Sequence, residues 1–182
     1  AGFNLTCIGD ERQHSCMFTK YGNTLSDKAL KAAYKKLKIK YKVYPFLQRG
    51  SDERQYNSPG VELPIASIFR SKYWEYPEYH TSLDDFKLVT MKGINGGFKV
   101  AKEAINFLMK SVIPISSIKC EPQMSKRNLY PLISKKDNKN KFSDFLNFLQ
   151  YSDGRNTFEE ICNLSNINYK RGFTILKKLK KE

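Results

Sequence analysis

Apolar residues in the first part of the chain alternate between runs with strand spacing and runs with helix spacing. Residues 3–8, 41–47 and 63–69 are short runs rich in apolar and β-branched side chains, which predicts three strands. Residues 26–37 and 98–112 carry apolar side chains at intervals of three and four, which predicts two amphipathic helices. The order strand, helix, strand, strand, helix is typical of a layered α/β domain.

Two features predict where these helices begin. Ser26 is a candidate N-cap with Asp27 in the first turn, where a carboxylate interacts favourably with the helix dipole. Residues 93–97 contain three glycines and are predicted to form a flexible entry to the second helix. Residues 10–15 are polar and lack a periodic pattern, so they are predicted to form a loop.

A polar, aperiodic stretch then separates a second pattern of short helices. We place the domain boundary near residues 115–125, which gives domains 1–118 and 119–182. In the second domain, Thr157-Phe158-Glu159-Glu160 is a capping box and Asn168 is an N-cap for the last helix. Three short helices with a basic last one predict a small, mostly α winged-helix or helix-turn-helix module.

The excess of positive charge suggests a nucleic-acid partner but does not by itself identify one. The 182 residues include 32 Lys and Arg against 18 Asp and Glu, so the net charge is +14 and the pI is about 9.6. Such a charge is typical of proteins that bind nucleic acid or acidic surfaces, and equally of a lysine-rich proteome. Residues 1–111 carry 18 − 11 = +7 and the remainder 14 − 7 = +7. The excess is not concentrated in the module, which weakens the nucleic-acid hypothesis.

The sequence shows no sign of export or membrane insertion. No apolar run approaches the ~20 residues that span a bilayer, and the N-terminus lacks the charged and apolar regions of a signal peptide. We therefore predict a cytoplasmic protein without a membrane partner. Its four widely spaced cysteines are expected to be reduced thiols. Because the chain starts with Ala1 and enters a predicted strand at Phe3, we also expect it to be a fragment or a processed product. Removal of an initiator Met would explain the absence of Met equally well.

The segment from Arg70 to Asp85 concentrates chemically active side chains. It holds the only Trp of the chain, three Tyr, one His and four carboxylates. A neutral imidazole in such a loop is suited to metal ligation, which makes His80 a candidate ligand. A structural, hydrogen-bonding histidine is the alternative, and the composition of this segment leaves both open.

Several motifs along the chain resemble one enzyme group when they are taken in order. These are Gly9-Asp10, the block Gly50-Ser51-Asp52-Glu53-Arg54-Gln55-Tyr56 with Pro59-Gly60-Val61-Glu62-Leu63-Pro64, and Tyr79-His80-Thr81-Ser82-Leu83-Asp84. Together they resemble the C-terminal half of the co-catalytic zinc exopeptidases of the leucyl aminopeptidase and glutamate carboxypeptidase type. The nearest likeness is to bacterial aminopeptidase-like proteins, some associated with polysaccharide-biosynthesis loci, that carry a C-terminal winged-helix module. Their members also show motifs similar to Cys120-Glu121-Pro122 and Leu129-Tyr130-Pro131.

The resemblance implies a partial, mixed-sheet zinc-exopeptidase-like α/β domain followed by the winged-helix domain. It also implies that His80 binds one zinc ion, that Asp10 binds the same ion or its neighbour, and that Tyr79 donates a hydrogen bond to the oxyanion formed at the scissile carbonyl. The intact protein would then be a metallopeptidase with one or two zinc ions, acting on a peptide or a related small amide. Zinc suits this chemistry because it polarises a carbonyl and lowers the pKa of bound water.

Five further residues receive supporting roles. Asp52 and Asp84 are predicted to orient metal-bound groups or a ligand, because metal-bound imidazoles usually donate their free N–H to a neighbour. The alternative, in which each aspartate caps a short helix, stays open. Arg54, Arg70 and Glu78 are predicted to line the pocket.

The sequence also departs from this enzyme group. A working site of this type needs a further His, a bridging Asp, a general-base Glu and another carboxylate, and the chain offers none of these before Asp10. His14 follows Asp10 in a predicted loop, so we interpret it as a surface histidine. Zinc activates water when three protein ligands hold it with one position open. We therefore expect this chain alone to bind zinc weakly and to hydrolyse nothing.

Two other functions remain as hypotheses. The basic last helix would bind nucleic acid through phosphate contacts from Lys170, Arg171, Lys177 and Lys178, or would serve as a protein-interaction module. A third hypothesis is an aminopeptidase-like domain that binds its ligand without catalysing. The oligomeric state is not predicted.

Overall fold

The computed structural model describes residues 1–127, 129 and 136–181. The chain divides into two compact units, Ala1–Lys110 and Ser111–Glu182. This division falls earlier than the boundary predicted at residues 118 and 119. No helix in the described residues is long and apolar enough to cross a membrane.

The first unit is built on a four-stranded mixed sheet. Its strands are β1 (Gly2–Leu5), β2 (Ser15–Met17), β3 (Lys42–Tyr44) and β4 (Ile65–Phe69), in the order β1-β4-β2-β3. β1 runs parallel to β4, and β3 runs parallel to β2, whereas β2 and β4 are antiparallel. With its helices this sheet forms an α/β arrangement, as the order of the predicted elements suggested.

Two long helices, α1 (Leu25–Leu37) and α3 (Met91–Lys110), form the main core with one face of the sheet. This core comprises Cys16, Ala29, Leu30, Ala33, Tyr34, Ala66, Ile68, Val100, Ala101 and Ala104. The Tyr34 hydroxyl donates a hydrogen bond to the Ser15 carbonyl at 3.0 Å, so the phenol is satisfied inside the core. Burial raises the pKa of the Cys16 thiol to about 12, which keeps this thiol protonated.

The opposite face of the sheet is packed by loops rather than by long helices. Met17, Tyr44, Phe69 and Tyr73 form a second apolar cluster there, with Phe69 and Tyr73 meeting edge to face at 5.5 Å between ring centroids. The short helix α2 (Glu53–Tyr56) also contacts β4. The predicted site residues of the central motif therefore lie on this loop-covered side.

Helix α1 begins two residues earlier than predicted. Thr24, not Ser26, is its N-cap, and the Thr24 amide donates to Asp27 Oδ2 at 2.8 Å. Asp27 is fully buried and also accepts from the amide of Thr19 at 2.7 Å. The Ser26 hydroxyl instead donates to the carbonyl of Pro64. Asp27 is the N3 residue of a capping box with Thr24, and its carboxylate accepts four hydrogen bonds from the amides and hydroxyls of Thr19 and Thr24.

Helix α3 includes the glycine-rich segment that was predicted to be a flexible entry. The prediction was wrong because these glycines permit close packing. A Cβ atom on Gly93 would lie 1.8 Å from the carbonyl oxygen of Gly9, and one on Gly97 would lie 2.8 Å from Ile8 Cβ. The first turns of the helix thus press against the backbone that follows β1. Strand β2 was missed altogether, because the predicted loop included Ser15 and no strand was predicted at Cys16 and Met17.

In the residues that the structure describes, the second unit contains three α-helices around its own core. These are α4 (Lys136–Gln150), α5 (Phe158–Leu164) and α6 (Tyr169–Leu179). Its core comprises Met124, Phe145, Phe148, Phe158, Ile161, Cys162 and Ile175. The capping box of α5 is confirmed, with the Thr157 amide donating to Glu160 at 2.9 Å, and so is the Asn168 cap of α6. In the predicted Leu129-Tyr130-Pro131 motif, Tyr130 and Pro131 lie outside the described residues.

Candidate active site

The strand directions bring four polar residues to one edge of the sheet. β1 and β4 are parallel, so the residues that follow them, Asp10 and Arg70-Ser71, lie at the same edge. β2 is antiparallel to β4, so His14, which precedes β2, is at this edge as well. This is the place where α/β sheets usually carry their ligand-binding residues.

Asp10 is held firmly at this edge. Its side chain is buried, with 4% of the residue exposed, and it accepts from the Ser71 amide at 2.7 Å and the Ser71 hydroxyl at 2.9 Å. The Arg12 amide donates to the same carboxylate at 2.8 Å. Two of these bonds reach Oδ1 and one reaches Oδ2, so an acceptor position on Oδ2 remains for another donor or a cation.

Arg70 links Asp10 to His14. Its Nε donates to the Asp10 carbonyl at 2.8 Å, and its Nη1 lies against His14 Nε2. Burial, together with the nearby positive charge of Arg70, lowers the pKa of His14 to about 4. His14 is therefore a half-buried, neutral imidazole at neutral pH, not the surface histidine expected from its position in the sequence. Its Nδ1 has no hydrogen-bond partner among the described residues.

Glu53 is the buried carboxylate of the central motif, and sequence reasoning missed it. The residue is 1% exposed and accepts five hydrogen bonds. The donors are the amides of Gly50 (2.9 Å) and Ser51 (3.0 Å), the Tyr73 hydroxyl (2.8 Å), the Ser67 hydroxyl (3.0 Å) and Asn4 Nδ2 (3.0 Å). Glu53 thus fastens the loop before α2 to β1, to β4 and to the segment after β4.

The ionised form of Glu53 is favoured in spite of its burial. Burial raises the pKa of this carboxyl, but the hydrogen bonds from Gly50, Ser51 and Tyr73 outweigh that effect and leave the pKa below its usual value. Its neighbours Asp52 and Arg54 are exposed, and Asp52 is the N-cap of α2 without a side-chain capping bond. The predicted orienting role of Asp52 therefore has no contact in the described residues to support it.

The Tyr79-His80 motif lies in a loop packed by aromatic rings. Tyr79 is partly buried and meets Trp74 and Tyr76 edge to face at 6.2 and 5.7 Å between centroids. His80 is exposed, has a left-handed backbone with φ of 59°, and stacks on Tyr79 at 4.0 Å. Burial raises the pKa of Tyr79, so its phenol stays a hydrogen-bond donor. Asp84 is exposed at the end of this loop.

An ion pair connects the two segments that carry the predicted ligands. Arg12, two residues after Asp10, donates to both carboxylate oxygens of Glu78 at 3.0 and 2.7 Å. Glu78 is two residues before His80. A bidentate pair of this kind fixes geometry better than a single contact. The segments of Asp10 and His80 are thus neighbours, although they are far apart in the sequence.

These donors do not form a complete metal site by themselves. Asp10 offers a carboxylate and His80 an imidazole, both of which are common zinc ligands. In the part of the chain that the structure describes, no group of three or more His, Cys, Asp or Glu side chains is arranged to hold a metal ion.

Lys72 is a further buried group that the sequence did not point to. It is 3% exposed, and its Nζ donates to the Tyr73 carbonyl at 3.1 Å. The ammonium faces the rings of Tyr73, Tyr44 and Trp74 at 4.3, 5.2 and 5.8 Å from their centroids. Burial lowers the pKa of Lys72. The aromatic rings partly replace the water that this cation has lost.

Comparison with known proteins identifies the group to which this architecture belongs. Residues 1–111, more than half of the chain, match the family model described as a domain of unknown function, DUF4910. The chain belongs to the DUF4910 family. Its DUF4910 segment is followed by a winged helix-turn-helix match over residues 112–182. The predicted winged-helix module is thereby confirmed.

Two matches from Clostridium acetobutylicum extend the comparison. Over 173 residues the chain is 33% identical to "Putative polysaccharide biosynthesis protein with aminopeptidase-like domain", a match that covers 93% of this chain and 39% of that protein. A crystal structure of a "putative peptidase" matches with a TM-score of 0.60 at 29% identity, covering 99% of this chain and 40% of the other. The chain therefore spans about two fifths of the length of these relatives.

These matches confirm the broader part of the predicted resemblance and leave its finer part untested. The DUF4910 segment and its winged-helix module are similar to proteins named as peptidase-like, which confirms the broader prediction. Zinc dependence and membership of the zinc exopeptidases stay predictions.

Proposed function

We propose that this chain is the C-terminal part of an aminopeptidase-like hydrolase whose intact form cleaves an amide bond in a peptide or a related small substrate. The observation that carries the proposal is the placement of Asp10, buried at the carboxyl end of β1 and hydrogen-bonded to Ser71 after β4. The names of the two similar proteins support a peptidase-like activity, and one of those names refers to polysaccharide biosynthesis.

Asp10 and His80 are the donors that we propose for zinc, with one or two ions in the intact protein. Asp10 retains an acceptor position on Oδ2, His80 is exposed, and the Arg12–Glu78 pair keeps their segments together. When bound, zinc would polarise the scissile carbonyl and lower the pKa of a water ligand. The remaining donors belong to polypeptide outside the described residues, because a catalytic zinc needs three protein ligands.

Tyr79 is the residue of this chain that we propose to stabilise the oxyanion. Its phenol is neutral at neutral pH, since the ordinary pKa of tyrosine is 10.0 and burial raises it further, and a positioned hydroxyl can donate a hydrogen bond to developing negative charge. Asp84, Asp52 and Arg54 are exposed. We propose that they orient the substrate or the loops around it.

A zinc titration of the 182-residue chain, followed by NMR, tests the proposed donors. We expect the signals of Asp10 and His80 to shift first, and the variants Asp10→Asn and His80→Ala each to abolish the shift of the other residue. His14→Ala removes the second histidine and is the matched control, which should respond as the wild type does. Zinc shifts centred elsewhere, or shifts that persist in both variants, would refute the assignment.

A second candidate function is phosphate binding by α6. Lys170, Lys177 and Lys178 are exposed on this helix. Arg171 is already engaged, because its Nε donates to Asp144 at 2.8 Å and its guanidinium lies over the Phe145 ring. Retention on immobilised DNA that falls steeply with salt, and that is lost when the three lysines become glutamine, would support this function. No retention at low salt would exclude it.

A further inference from the structure

A cavity lies in the second unit, between two of its helices and the segment that leads into them. Its volume is about 430 Å³, within the range of roughly 300–1,000 Å³ that small-molecule sites usually have. α4 contributes Phe148 and Leu149 to its lining, and α6 contributes Leu176 and Leu179. The described residues that line it all fall within 112–180, so the cavity is a feature of this unit alone.

Backbone hydrogen bonds hold the third wall of the cavity, residues 112–118, in place. The Gly154 amide donates to the Pro114 carbonyl at 3.1 Å, and the Ser116 amide donates to the Ser152 carbonyl at 2.7 Å. Both partners of this wall belong to the connection between α4 and α5. The wall is therefore fixed by the backbone, as in sites that are formed before their ligand binds.

Most of the lining is apolar. Leu149, Leu176 and Leu179 pack against the core of the unit and also line the cavity. Ile115 lines it as well and is 75% exposed, although the backbone around this residue is held by hydrogen bonds. An apolar group bound in the cavity would remove part of these side chains from water, which is favourable.

The charged groups of the lining are both cations. Arg127 ends the short 3-10 helix Met124–Arg127, and Lys180 is the C-cap of α6. No carboxylate is found among the described residues of the lining. Nε of Arg127 is buried and has no hydrogen-bond partner in the described part of the chain, whereas buried donors usually have one. The cavity therefore combines an apolar lining with positive charge and an unused donor.

A neighbouring cavity of about 420 Å³ has the opposite charge. It shares Ile115 and Leu149 with the first cavity, but its charged groups are Glu121 and Asp153. No Lys or Arg is found among the described residues of its lining. An anion that enters between these walls is therefore directed to the side of Arg127, and a second negative charge on the same molecule would face carboxylates.

We propose that the cavity beside Arg127 binds a small, soluble organic monoanion, a carboxylate on an apolar chain. The guanidinium donates in a planar fork that matches a carboxylate, and a rotation of the side chain toward the ligand would give Nε its partner. The apolar chain would lie against Ile115 and the leucines of α4 and α6. The volume suits one drug-sized molecule rather than a two-chain lipid. This inference goes beyond the proposed function, because it uses none of the residues proposed for zinc.

Calorimetry on the 182-residue chain tests this site, with decanoate as the probe at concentrations below micelle formation. Decanol keeps the apolar chain without the charge, and we expect it to bind at least about 10-fold more weakly than decanoate. Arg127→Gln should weaken decanoate binding by at least about 10-fold and leave decanol binding within about 3-fold of the wild type. Lys126→Gln removes the adjacent, exposed cation, which is not among the lining residues. It is the matched control, expected to bind decanoate within about 2-fold of the wild type.

A second variant and an NMR measurement locate the probe. Ile115→Asp changes an exposed residue and places a negative charge in the lining, so it should weaken the binding of decanoate by at least about 10-fold. Decanoate should shift the methyl signals of Ile115, Leu176 and Leu179, and leave that of Ile68 in the core of the first unit unchanged. Circular dichroism of each variant verifies that it is folded.

Several results would overturn the proposal. These are no binding of decanoate by the wild-type chain, equal affinity for decanoate and decanol, and equal binding of decanoate by Arg127→Gln. Methyl shifts centred on other residues would place the probe elsewhere and would also refute the site. Binding to phosphatidylglycerol vesicles that Arg127→Gln abolishes, without binding of decanoate, would assign the cavity to a membrane lipid instead.

Discussion

The hydrogen bonds to Glu53 predict that this carboxylate is a main support of the first unit. Glu53→Ala removes the acceptor for five donors, two of which are backbone amides. A buried donor left without a partner costs about 1–3 kcal/mol. Water entering the vacated space will satisfy some donors, and the loss of a buried charge offsets part of the cost. We therefore expect the free energy of unfolding to fall by about 3–5 kcal/mol.

Glu53→Gln removes the negative charge of this side chain while keeping its size and shape. The amide oxygen can still accept from Gly50, Ser51 and Tyr73, which all reach Oε1. The amide NH2, however, replaces the oxygen that accepts from Asn4 and Ser67. The three hydrogen bonds to Oε1 are kept, whereas the two to Oε2 are disturbed. We therefore expect the free energy of unfolding to fall by an intermediate amount, about 1–2 kcal/mol.

Trp74 provides the assay, because it is the only tryptophan and lies in the first unit, against Tyr73. Thermal and urea unfolding followed by its fluorescence therefore reports on the unit that contains Glu53. For Glu53→Ala we expect Tm to fall by at least about 10 °C. Asp52→Ala, at the exposed neighbouring carboxylate, should change the free energy of unfolding by less than about 0.5 kcal/mol. If Glu53→Ala unfolds like Asp52→Ala, the proposed support role is wrong.

The pH dependence gives a second check on Glu53. Its pKa in the folded protein lies below the ordinary value of 4.5, so its ionised form stabilises the fold. That contribution is fully present above pH 4.5 and is lost as the pH falls through the folded-state pKa. Glu53→Gln should remove this part of the acid sensitivity. An unchanged acid transition in Glu53→Gln would contradict the direction of the pKa change.

Three other predictions follow from the packing. His14 should titrate near pH 4 by NMR. Because its pKa is lower in the folded protein than in the unfolded chain, its contribution to the free energy of unfolding is complete above pH 6.5 and declines between pH 6.5 and 4. A normal titration near pH 6.5 would refute the burial of His14 beside Arg70. Gly93→Ala should cost more than about 3 kcal/mol by Trp74 fluorescence because its Cβ meets the Gly9 carbonyl, whereas Asn95→Ala on the exposed side should be neutral or slightly stabilising. Ile175→Ala should destabilise the second unit by about 2–5 kcal/mol, measured by far-UV circular dichroism, and a change below 1 kcal/mol would contradict its place in the core.

Local patterns in the sequence predicted the elements whose signals are themselves local. The capping box at Thr157 and the cap at Asn168 depend on residues three positions away, and both are present. The apolar run that forms β4 was recognised because it is buried on both faces of the sheet. Such features need no knowledge of distant residues.

The features that were missed depend on contacts between distant parts of the chain. Gly93 belongs to a glycine-rich segment whose composition is typical of a flexible loop. Its place inside a helix is explained by its close approach to the backbone of Gly9, which is distant in the sequence. Helix α1 is capped by Thr24 rather than by Ser26, and the Asp27 carboxylate that completes the capping box is also held by Thr19, eight residues earlier in the chain. Glu53 stands beside Asp52 in the same motif, and nothing local indicates which of the two carboxylates is buried.

The candidate site was predicted in part for the same reason. Asp10 is buried at a strand end, and its neighbours come from the segment after β4, sixty residues later in the chain. We predicted a surface position for His14 because it follows Asp10 in a polar loop. The local sequence gives no indication of its contact with Arg70. The predicted roles of Asp10, His80 and Tyr79 stay predictions, to be decided by the zinc titration and by activity measurements on the intact protein.

The distribution of cysteines gives each unit its own optical reporter. Cys16 and Cys162 are buried, and burial raises the pKa of both thiols, whereas Cys120 is exposed. A thiol-reactive dye at neutral pH will therefore attach preferentially to Cys120 in the second unit. Trp74 already reports on the first unit without any label. Unfolding of both units can thus be followed at two wavelengths in one sample, without introducing a substitution.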